Sequence, residues 1–327
     1  MKFISYLHKD KCSIGVLISK KDKFIDIHDS SNGQLPNNML SYLQDFDENN
    51  VLLNKILLKG NYNELDIKSV KLNAPLPNPN SFRDAYAFRQ HVEAGRKNRG
   101  LDMIPEYDQF PVFYFSNHNS ISGPGNVVVQ EKHLNKLDFE FELGIIIGRK
   151  GKNIKAKDAH KYIAGLVILN DWSARAMQFE EMKLNLGPAK GKDFATSIGP
   201  YLVTLDELEK NLVELDSGFT YNLKMKGYLN NNLVTEDNMK NMTWSFSDIL
   251  ERISYGVTIH PGDLIGSGTC ATGCLLENNV SLDNPRWLTE NDVIVFVSTR
   301  ETIELKSRTG IGLLVSDFNP WRNTNNL

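Results

Sequence analysis

The stretch from Leu137 to Ile147 constrains the fold of this chain more than any other. In its first half, apolar and acidic side chains alternate at every position. A period of two predicts a β-strand with one apolar face and one carboxylate face. The carboxylates are Asp138, Glu140 and Glu142. Neighbours on that face lie about 7 Å apart, and no lysine or arginine within the stretch relieves their repulsion.

Two structures would explain this pattern. One is an edge strand whose acidic face is solvated. The other is a site for a divalent cation held by Glu140 and Glu142, because hard cations such as Mg²⁺ and Ca²⁺ take the oxygen ligands that two carboxylates supply. The strand alone favours neither structure, so the rest of the chain has to decide between them.

The length of the chain predicts more than one unit. With 327 residues, we expect one large domain with a lesser one. Residues 1–74 have the character of a small β-rich N-terminal domain. Residues 75–327 have that of a larger, β-rich domain with few helices, so the fold class is α+β. The alternating Pro75, Pro77 and Pro79 predict a stiff, extended connector.

Composition and charge are those of an ordinary globular protein, with 41% hydrophobic and 24% charged residues. A net charge of −3 gives no electrostatic argument for binding nucleic acid or an anionic membrane. No apolar run approaches the length of a membrane span, and Met1 to Ser19 lacks a signal-peptide pattern. We therefore expect a cytoplasmic protein.

The cysteines are few and odd in number: Cys12, Cys270 and Cys274. Such a count argues against a disulfide framework and for a reducing cytosol. Cys270 and Cys274 have no further cysteine or histidine near them in the sequence to complete a structural zinc site. Both are therefore predicted to be packing residues.

Two predicted helices involve candidate site residues. In FRDAYAFRQH, a helix beginning near Asp84 would bring Asp84 and His91 onto neighbouring turns, although a single histidine is more often a surface residue. Asp171, Arg175 and Gln178 follow an apolar strand at steps of four and three, which predicts one shared helix face. That spacing fits a local Asp171–Arg175 ion pair or a functional site, since sites often follow buried strands.

Two glycine-containing segments are candidates for ligand contact. The loop from Leu186 to Pro200 carries Lys190 and Lys192; its spacing is not that of a phosphate-binding loop, but its lysines suit an anionic substrate. The segment from Gly266 to Gly273 is dense in glycine, which lets backbone approach a ligand closely. Near the end of the chain, VIVFVS and TIELKSR are predicted to be strands.

Taken together, these stretches resemble the fumarylacetoacetate hydrolase family. The motifs that carry the resemblance are DAYAFRQH, LDFEFELG, NDWSARAMQ, LGPAKGKDFATS, PGDLIGSGT and GCLLE, in the family's order and approximate spacing. It covers nearly all residues from Ala74 onward and implies the family's mixed β-roll for residues 75–327. Residues 1–74 are similar, less specifically, to the small β-rich domain that some members carry.

The resemblance also implies roles for individual residues. It implies one cation site, with Mg²⁺ as the ion and Mn²⁺ or Ca²⁺ as alternatives, whose carboxylate ligands are Asp84, Glu140, Glu142 and Asp171. It implies a general base, an acidic partner that orients the base, and a cationic oxyanion donor, namely His91, Glu277 and Lys192. The substrate-binding residues that it implies are Tyr86, Tyr114, Arg175, Gln178 and Thr269.

By this resemblance the chain is a homodimeric enzyme that hydrolyses a carbon–carbon bond in a small 1,3-dioxo acid, as in the catabolism of aromatic compounds. Fumarylacetoacetate, fumarylpyruvate and acylpyruvates are substrates of this type. Two other interpretations stay open: a decarboxylase or isomerase of the oxaloacetate or 2-hydroxyhepta-2,4-diene-1,7-dioate type, and a metal-binding protein without catalysis. His91 paired with Glu277 favours hydrolysis, because an imidazole can take a proton from water near neutral pH.

Overall fold

The computed structural model of the protein describes residues 1–9, 11–18, 22–279, 286–299, 304–305 and 311–312. The strands of these residues are, in chain order, β1 (Lys2–His8), β2 (Lys11–Leu17), β3 (Lys23–Asp26), β4 (Glu64–Asp66), β5 (Lys71–Asn73), β6 (Ser81–Ala85), β7 (Phe113–Ser116), β8 (Ile121–Ser122), β9 (Leu137–Asp138), β10 (Phe141–Ile147), β11 (Gly151–Lys152), β12 (Ile163–Asp171), β13 (Ser173–Ala174), β14 (Thr196–Ile198), β15 (Leu202–Thr204), β16 (Leu212–Leu215), β17 (Gly218–Tyr221), β18 (Lys224–Leu229), β19 (Asn232–Asn238), β20 (Thr258–Ile259), β21 (Asp263–Gly266), β22 (Val293–Thr299), β23 (Glu304–Leu305) and β24 (Ile311–Gly312). The α-helices are α1 (Ile27–Ser30), α2 (Met39–Gln44), α3 (Phe46–Lys59), α4 (Arg89–Lys97), α5 (Arg175–Glu181), α6 (Ala189–Lys192), α7 (Phe246–Ser254) and α8 (Leu275–Asn278).

One large mixed sheet organises the molecule. Its strands run in the order β4-β3-β2-β1-β15-β12-β10-β21-β6-β7, with β5, β8 and β14 attached beside this path. Most neighbours are antiparallel, whereas β6 with β21 and β8 with β14 are parallel. A smaller sheet contains β19, β18, β22, β23 and β24. This arrangement confirms the predicted β-rich α+β class.

The acidic strand lies inside the large sheet. β10 pairs with β12 on one side and with β21 on the other, and each of its residues is buried. A solvated edge strand is therefore excluded. The predicted strand is also interrupted, since β9 ends at Asp138 and β10 begins at Phe141.

The N-terminal strands continue the same sheet. β1 pairs antiparallel with β15, so that Phe3 stands opposite Leu202. The side chains of Phe3, Leu202 and Leu264 belong to one buried apolar cluster. The division into residues 1–74 and 75–327 stays a prediction, drawn across a sheet to which both parts contribute.

Both predicted helices near the candidate site begin later than the sequence pattern indicates. Asp84 lies in β6 and α4 begins only at Arg89. Asp171 ends β12 and α5 begins at Arg175. Asp84 is held by strand pairing with β21 and Asp171 by strand pairing with β14, and tertiary pairing of this kind overrides local periodicity. None of the described helices is both long and apolar enough to cross a bilayer.

The predicted strand VIVFVS is confirmed by β22. Of the predicted strand TIELKSR, Glu304 and Leu305 form β23, which pairs with the end of β22. The other residues of that segment lie outside the described residues, so the rest of this prediction stays open.

Candidate metal centre and active site

Three of the four predicted metal ligands meet at one place. Asp84, Glu142 and Asp171 are buried, and each brings a carboxylate oxygen within 4.8 Å of the other two. The sheet accounts for this meeting. Asp84 stands opposite Gly266 in the parallel β6–β21 pair, whereas Glu142 stands opposite Leu169, two positions before Asp171.

Two glycines, Gly266 and Gly268, bring the backbone directly against two of these carboxylates. A Cβ on Gly266 would lie 2.3 Å from Oδ1 of Asp84 and 3.0 Å from Oε2 of Glu142. The N–H of Gly268 donates to the same two oxygens, at 3.2 and 3.0 Å. The glycine-rich segment, for which the sequence predicts a close approach to a ligand, thus approaches the carboxylates.

The three carboxylates are costly to keep charged without a cation between them. Burial, followed by the charge of Asp171, raises the pKa of Asp84 to about 7. Burial and the charges of Asp84 and Asp171 raise the pKa of Glu142 well above its ordinary value. Oε1 of Glu142 is buried and has no hydrogen-bond partner among the described residues. An all-oxygen set of this kind fits Mg²⁺, Mn²⁺ or Ca²⁺, which would favour the ionised forms.

Glu140, the fourth predicted ligand, contacts two basic side chains. Its Oε2 accepts a hydrogen bond from Nζ of Lys192, and its Oε1 lies 2.8 Å from Nη1 of Arg175. Burial alone would raise the pKa of Glu140, but Lys192 and Arg175 hold it at about 2. Lys192 also donates to Oδ2 of Asp171 at 2.7 Å. The positive charges that the acidic stretch itself lacks are therefore supplied by Arg175 of α5 and Lys192 of α6.

Arg175 bridges groups on both sides of this cluster. Its Nε donates to Oδ2 of Asp138 at 2.9 Å, and its Nη1 donates to Oε1 of Gln178 at 2.9 Å. With Glu140, these contacts occupy a guanidinium that is almost fully buried. The prediction of a local Asp171–Arg175 ion pair is therefore wrong, because Arg175 pairs with Asp138 and Glu140 instead.

Asp138 has a position that sequence reasoning missed. Its carboxylate is fully buried and accepts from the N–H groups of Leu275 and Leu276, at 2.8 and 3.0 Å, where α8 begins. The same carboxylate pairs with Arg175. Asp138 thus ties α8, which carries Glu277, to the cationic side of the cluster. The one signal in the sequence was its place in the acidic alternation.

His91 and Glu277 are in contact, although they are far apart in the sequence. Nδ1 of His91 meets Oε1 of Glu277, and each side chain is only 8% exposed. The other oxygen of Glu277 accepts from the N–H of Thr272 at 2.5 Å. Tyr86 packs edge-on against His91, with 5.7 Å between ring centroids. The helices α4 and α8 therefore bring the imidazole of His91 against the carboxylate of Glu277.

The remaining predicted residues lie around this centre. The hydroxyl of Tyr114 donates to Oδ2 of Asp171 at 2.8 Å. Burial, followed by the charge of Asp171, raises the pKa of Tyr114 well above its usual value, so this hydroxyl stays a donor. Burial likewise raises the pKa of Tyr86 to about 12. Thr269 is buried next to Gly268.

Cys274 lies beside the His91–Glu277 pair. One ligand atom of each of the three residues lies within 4.8 Å of those of the other two. The thiol is fully buried, and burial raises the pKa of Cys274 well above its usual value. The burial of Cys274 agrees with its prediction as a packing residue. The sequence could not predict that it lies next to His91, because His91 belongs to a helix that is distant in the chain.

Comparison with known proteins gives matches over most of the chain. Residues 80–318 match the family described as fumarylacetoacetate (FAA) hydrolase C-terminal. A fumarylacetoacetase from Oryza sativa subsp. japonica is 30% identical over 243 residues, which cover 61% of this chain and 55% of that protein. The chain therefore spans about half the length of this curated relative.

Solved structures with the same fold cover nearly the whole chain. A maleylpyruvate hydrolase from Sphingobium sp. SYK-6, in complex with manganese (II) ion and pyruvate, has a TM-score of 0.69 and 21% identity, over 96% of this chain and 99% of that chain. A 5-carboxymethyl-2-hydroxymuconate delta-isomerase from Mycobacterium smegmatis has a TM-score of 0.61 and 20% identity, over 96% and 97%. The two likenesses show a common fold.

Proposed function

Because the chain belongs to the fumarylacetoacetate hydrolase family, we propose that it is a divalent-cation-dependent hydrolase that cleaves a carbon–carbon bond of a 1,3-dioxo acid. Acids of the fumarylacetoacetate, fumarylpyruvate or acylpyruvate type are the proposed substrates. The observation that carries the proposal is the buried His91–Glu277 contact. It lies close enough to Glu140 for the charge of His91 to help lower the pKa of that carboxyl group.

The cation would be held by Asp84, Glu142 and Asp171, together with Glu140. Mg²⁺ is the proposed ion, with Mn²⁺ and Ca²⁺ as alternatives. When bound, the cation polarises the carbonyl oxygens of a chelating dioxo acid and stabilises the negative charge that develops on them. Two observations support this assignment: the set offers only oxygen, and Oε1 of Glu142 has no hydrogen-bond partner in the described part of the chain.

His91 is the proposed general base. It takes a proton from the attacking water, while Glu277 orients the imidazole and stabilises its protonated form. The water oxygen bonds to the carbonyl carbon, the carbon–carbon bond breaks, and its electron pair leaves with the departing carbon. His91 then returns the proton to that fragment, so protons and charges balance. The N–H of Thr272 supports this role by fixing Glu277.

Lys192 is the proposed donor to the developing oxyanion. Burial would lower the pKa of Lys192, but Asp171 and Glu140 raise it above the usual value, so the side chain stays cationic. One well-placed donor of this kind contributes about 3 kcal/mol to stabilising the transition state. The proposed contacts to the rest of the substrate come from polar side chains around the cluster, namely Tyr86, Tyr114, Arg175, Gln178 and Thr269.

The alternative function is decarboxylation or isomerisation of an oxo acid. The carboxylate cluster and Lys192 suit these reactions equally, because both develop negative charge on an oxygen next to the cation. They do not need an attacking water. The His91–Glu277 pair is the feature that favours hydrolysis over this alternative.

We further propose a homodimer that acts on its small-molecule substrate in the cytoplasm, without nucleic acid or membrane as a partner. The low net charge of −3 supports the last part. Leu184 and Leu186 are 81% and 92% exposed, which suits contact with a second subunit. Residues 1–74 as a small N-terminal domain and residues 75–327 as the catalytic domain belong to the same proposal. Light scattering at micromolar concentration tests the oligomeric state, and a monomer would contradict the proposed dimer.

A substrate screen tests the proposed activity. Purified protein with Mg²⁺ is incubated with fumarylacetoacetate, fumarylpyruvate, an acylpyruvate and oxaloacetate, each with and without a chelator. Cleavage of one dioxo acid, lost on chelation and restored by Mg²⁺, is the expected result. Decarboxylation of oxaloacetate with no cleavage of any dioxo acid would establish the alternative instead.

A further inference from the structure

We propose that Cys274, His91 and Glu277 form a second metal site, which takes a thiophilic divalent cation such as Zn²⁺ and thereby switches the enzyme off. The site itself rests on the three side chains and their surroundings. Its effect on activity rests on the proposed function, in which His91 takes a proton from water.

The three side chains have the composition of a zinc site, and their ligand atoms lie near the spacing that such a site requires. A thiol, an imidazole and a carboxylate each place a ligand atom within 4.8 Å of the other two. Around one tetrahedral zinc such atoms lie about 3.5 Å apart, with zinc–ligand distances of about 2.0–2.3 Å. Small side-chain rotations therefore close the set around an ion, and water or a substrate oxygen completes the tetrahedron.

The three ligands are held from two sides by fixed elements. His91 lies on α4, whereas Cys274 immediately precedes α8 and Glu277 lies within it. The beginning of α8 is fixed because Asp138 accepts hydrogen bonds from its first two N–H groups. Glu277 accepts a further bond from the N–H of Thr272. The ligands are therefore positioned before any ion arrives.

Ligand softness separates this site from the neighbouring carboxylate cluster. Asp84, Glu142 and Asp171 offer only oxygen, which Mg²⁺ requires, and Mg²⁺ gives up its water reluctantly. Thiolate and imidazole select zinc instead. Two cations of different chemistry would thus be sorted between adjacent sites. Within the second site, the thiolate and the carboxylate neutralise the two positive charges of the ion.

Binding at this site is a proton exchange without redox chemistry. The buried thiol of Cys274 is protonated in the absence of metal, and Zn²⁺ displaces that proton to form a zinc–thiolate bond. One proton is therefore released from the thiol for each ion bound.

Metal binding and base catalysis exclude one another at His91. A neutral imidazole carries a single free nitrogen lone pair, so a ring that ligates zinc cannot also accept a proton from water. Glu277 would at the same time give its carboxylate to the ion. Zinc at this site is therefore expected to stop hydrolysis while Mg²⁺ still occupies the carboxylate cluster.

Cobalt serves as the spectroscopic probe of the site. Full-length protein carrying Cys12→Ser, kept reduced and saturated with Mg²⁺, is titrated with Co²⁺. A thiolate-to-cobalt charge-transfer band that saturates at one equivalent is expected, and Zn²⁺ should remove it. Adding Cys274→Ser should abolish the band. Adding Cys270→Ser, a change at the other buried cysteine of the same segment, should preserve it.

Zinc affinity and activity complete the test. Cys274→Ser should weaken zinc binding by more than about 100-fold, since the loss of an outer-shell partner alone costs about 10- to 100-fold. One equivalent of Zn²⁺ should inhibit the Cys270→Ser protein and spare the Cys274→Ser protein. Cys274→Ala repeats the comparison without a buried hydroxyl.

Two results would overturn the site. One is the absence of a thiolate band in Mg²⁺-saturated protein that retains Cys274, and the other is a band that persists in Cys274→Ser. Equal inhibition of both serine variants would overturn the switch. The cobalt titration needs no substrate, so it tests the second metal site even if the protein cleaves no dioxo acid. Hydrolysis measured without zinc tests the proposed function separately.

Discussion

Nζ of Lys192 lies 2.7 Å from Oδ2 of Asp171, and both side chains are almost wholly buried. The contact joins the end of α6 to the end of β12. Burial alone would lower the pKa of Lys192, but Asp171 and Glu140 raise it above its usual value. Burial raises the pKa of Asp171, and Lys192 offsets that effect only in part. Lys192 therefore stays cationic next to the carboxylate cluster.

Replacing this charge should impair every reaction of the site. Lys192→Met is expected to lower kcat/KM for dioxo-acid hydrolysis, and for any oxaloacetate decarboxylation, by about 10²- to 10³-fold, because both develop charge on an oxygen. Steady-state kinetics with both substrates measures the loss. Lys190→Met is the matched control, since Lys190 is 62% exposed and pairs with Asp193 at the surface. Equal activity of the two variants would remove the assigned role.

Loss of the proposed base should separate hydrolysis from decarboxylation. His91→Ala is expected to lower hydrolysis of an acylpyruvate by about 10²- to 10⁴-fold, the usual contribution of a positioned general base. Glu277→Gln should act in the same direction, because it keeps the shape of the side chain and removes the charge that favours imidazolium. Decarboxylation of oxaloacetate should fall much less in both variants. Metal content is measured in parallel, and undiminished hydrolysis by His91→Ala would show that the base lies elsewhere.

Substitutions of Asp138 and Glu142 are expected to impair the enzyme in different ways, although both residues belong to one acidic stretch. Glu142→Ala should weaken Mg²⁺ binding, measured by calorimetry, because it removes a proposed oxygen ligand. Asp138→Asn should leave Mg²⁺ binding nearly unchanged and lower kcat, since it weakens the anchor of α8. Equal loss of Mg²⁺ affinity in both variants would count against the ligand assignment.

Removing the Asp138 side chain should also destabilise the fold. Asp138→Ala leaves the buried Arg175 guanidinium without one of its acids and two N–H groups of α8 without their acceptor. Breaking a buried pair in this way costs about 3–5 kcal/mol of unfolding free energy. Urea denaturation of the Mg²⁺-bound protein measures it, with Asp158→Ala as the control, because the Asp158–Lys161 pair is at the surface. Similar losses in the two variants would contradict the buried pairing.

The stability of metal-free protein should depend on pH through Asp84. Burial and Asp171 raise its pKa from 3.8 to about 7 in the folded state. The folded protein therefore binds more protons than the unfolded chain in this range, so unfolding free energy should fall as pH rises from about 4 to 7. Bound Mg²⁺ should remove this dependence by favouring the carboxylate. The difference in unfolding free energy between Mg²⁺-bound and chelated protein should thus widen as pH rises over that window. In Asp84→Asn this difference should be smaller.

The sequence predicted the components of the site better than their connections. Alternation marked Glu140 and Glu142, and the resemblance supplied Asp84 and Asp171. Neither revealed that β10 is an interior strand with every residue buried, because that depends on which distant strands pair with it and on what packs over the sheet. The sequence implied Lys192 as an oxyanion donor, but it did not reveal that Lys192 pairs with the buried Glu140 and Asp171.

Contacts between distant elements account for what sequence reasoning missed. Asp138 meets α8 across 137 positions of the chain, and no local pattern reports a contact of that kind. Cys274 was assigned to packing because nearby positions lack metal ligands, whereas its neighbour His91 comes from α4. The helices begin later than the sequence predicts for a related reason, since pairing with β21 and with β14 holds Asp84 and Asp171 in extended backbone.

The absence of a side chain at Gly266 has a consequence for relatives of this protein that carry the same carboxylates. Any Cβ there would collide with Asp84 and crowd Glu142. A gene duplicate that retains every carboxylate but carries alanine at this position is expected to bind the proposed cation more weakly. Surveys that count only the acidic residues would record such a protein as an enzyme. Glycine at this position is therefore expected to be required for the proposed cation site, in addition to the carboxylate ligands.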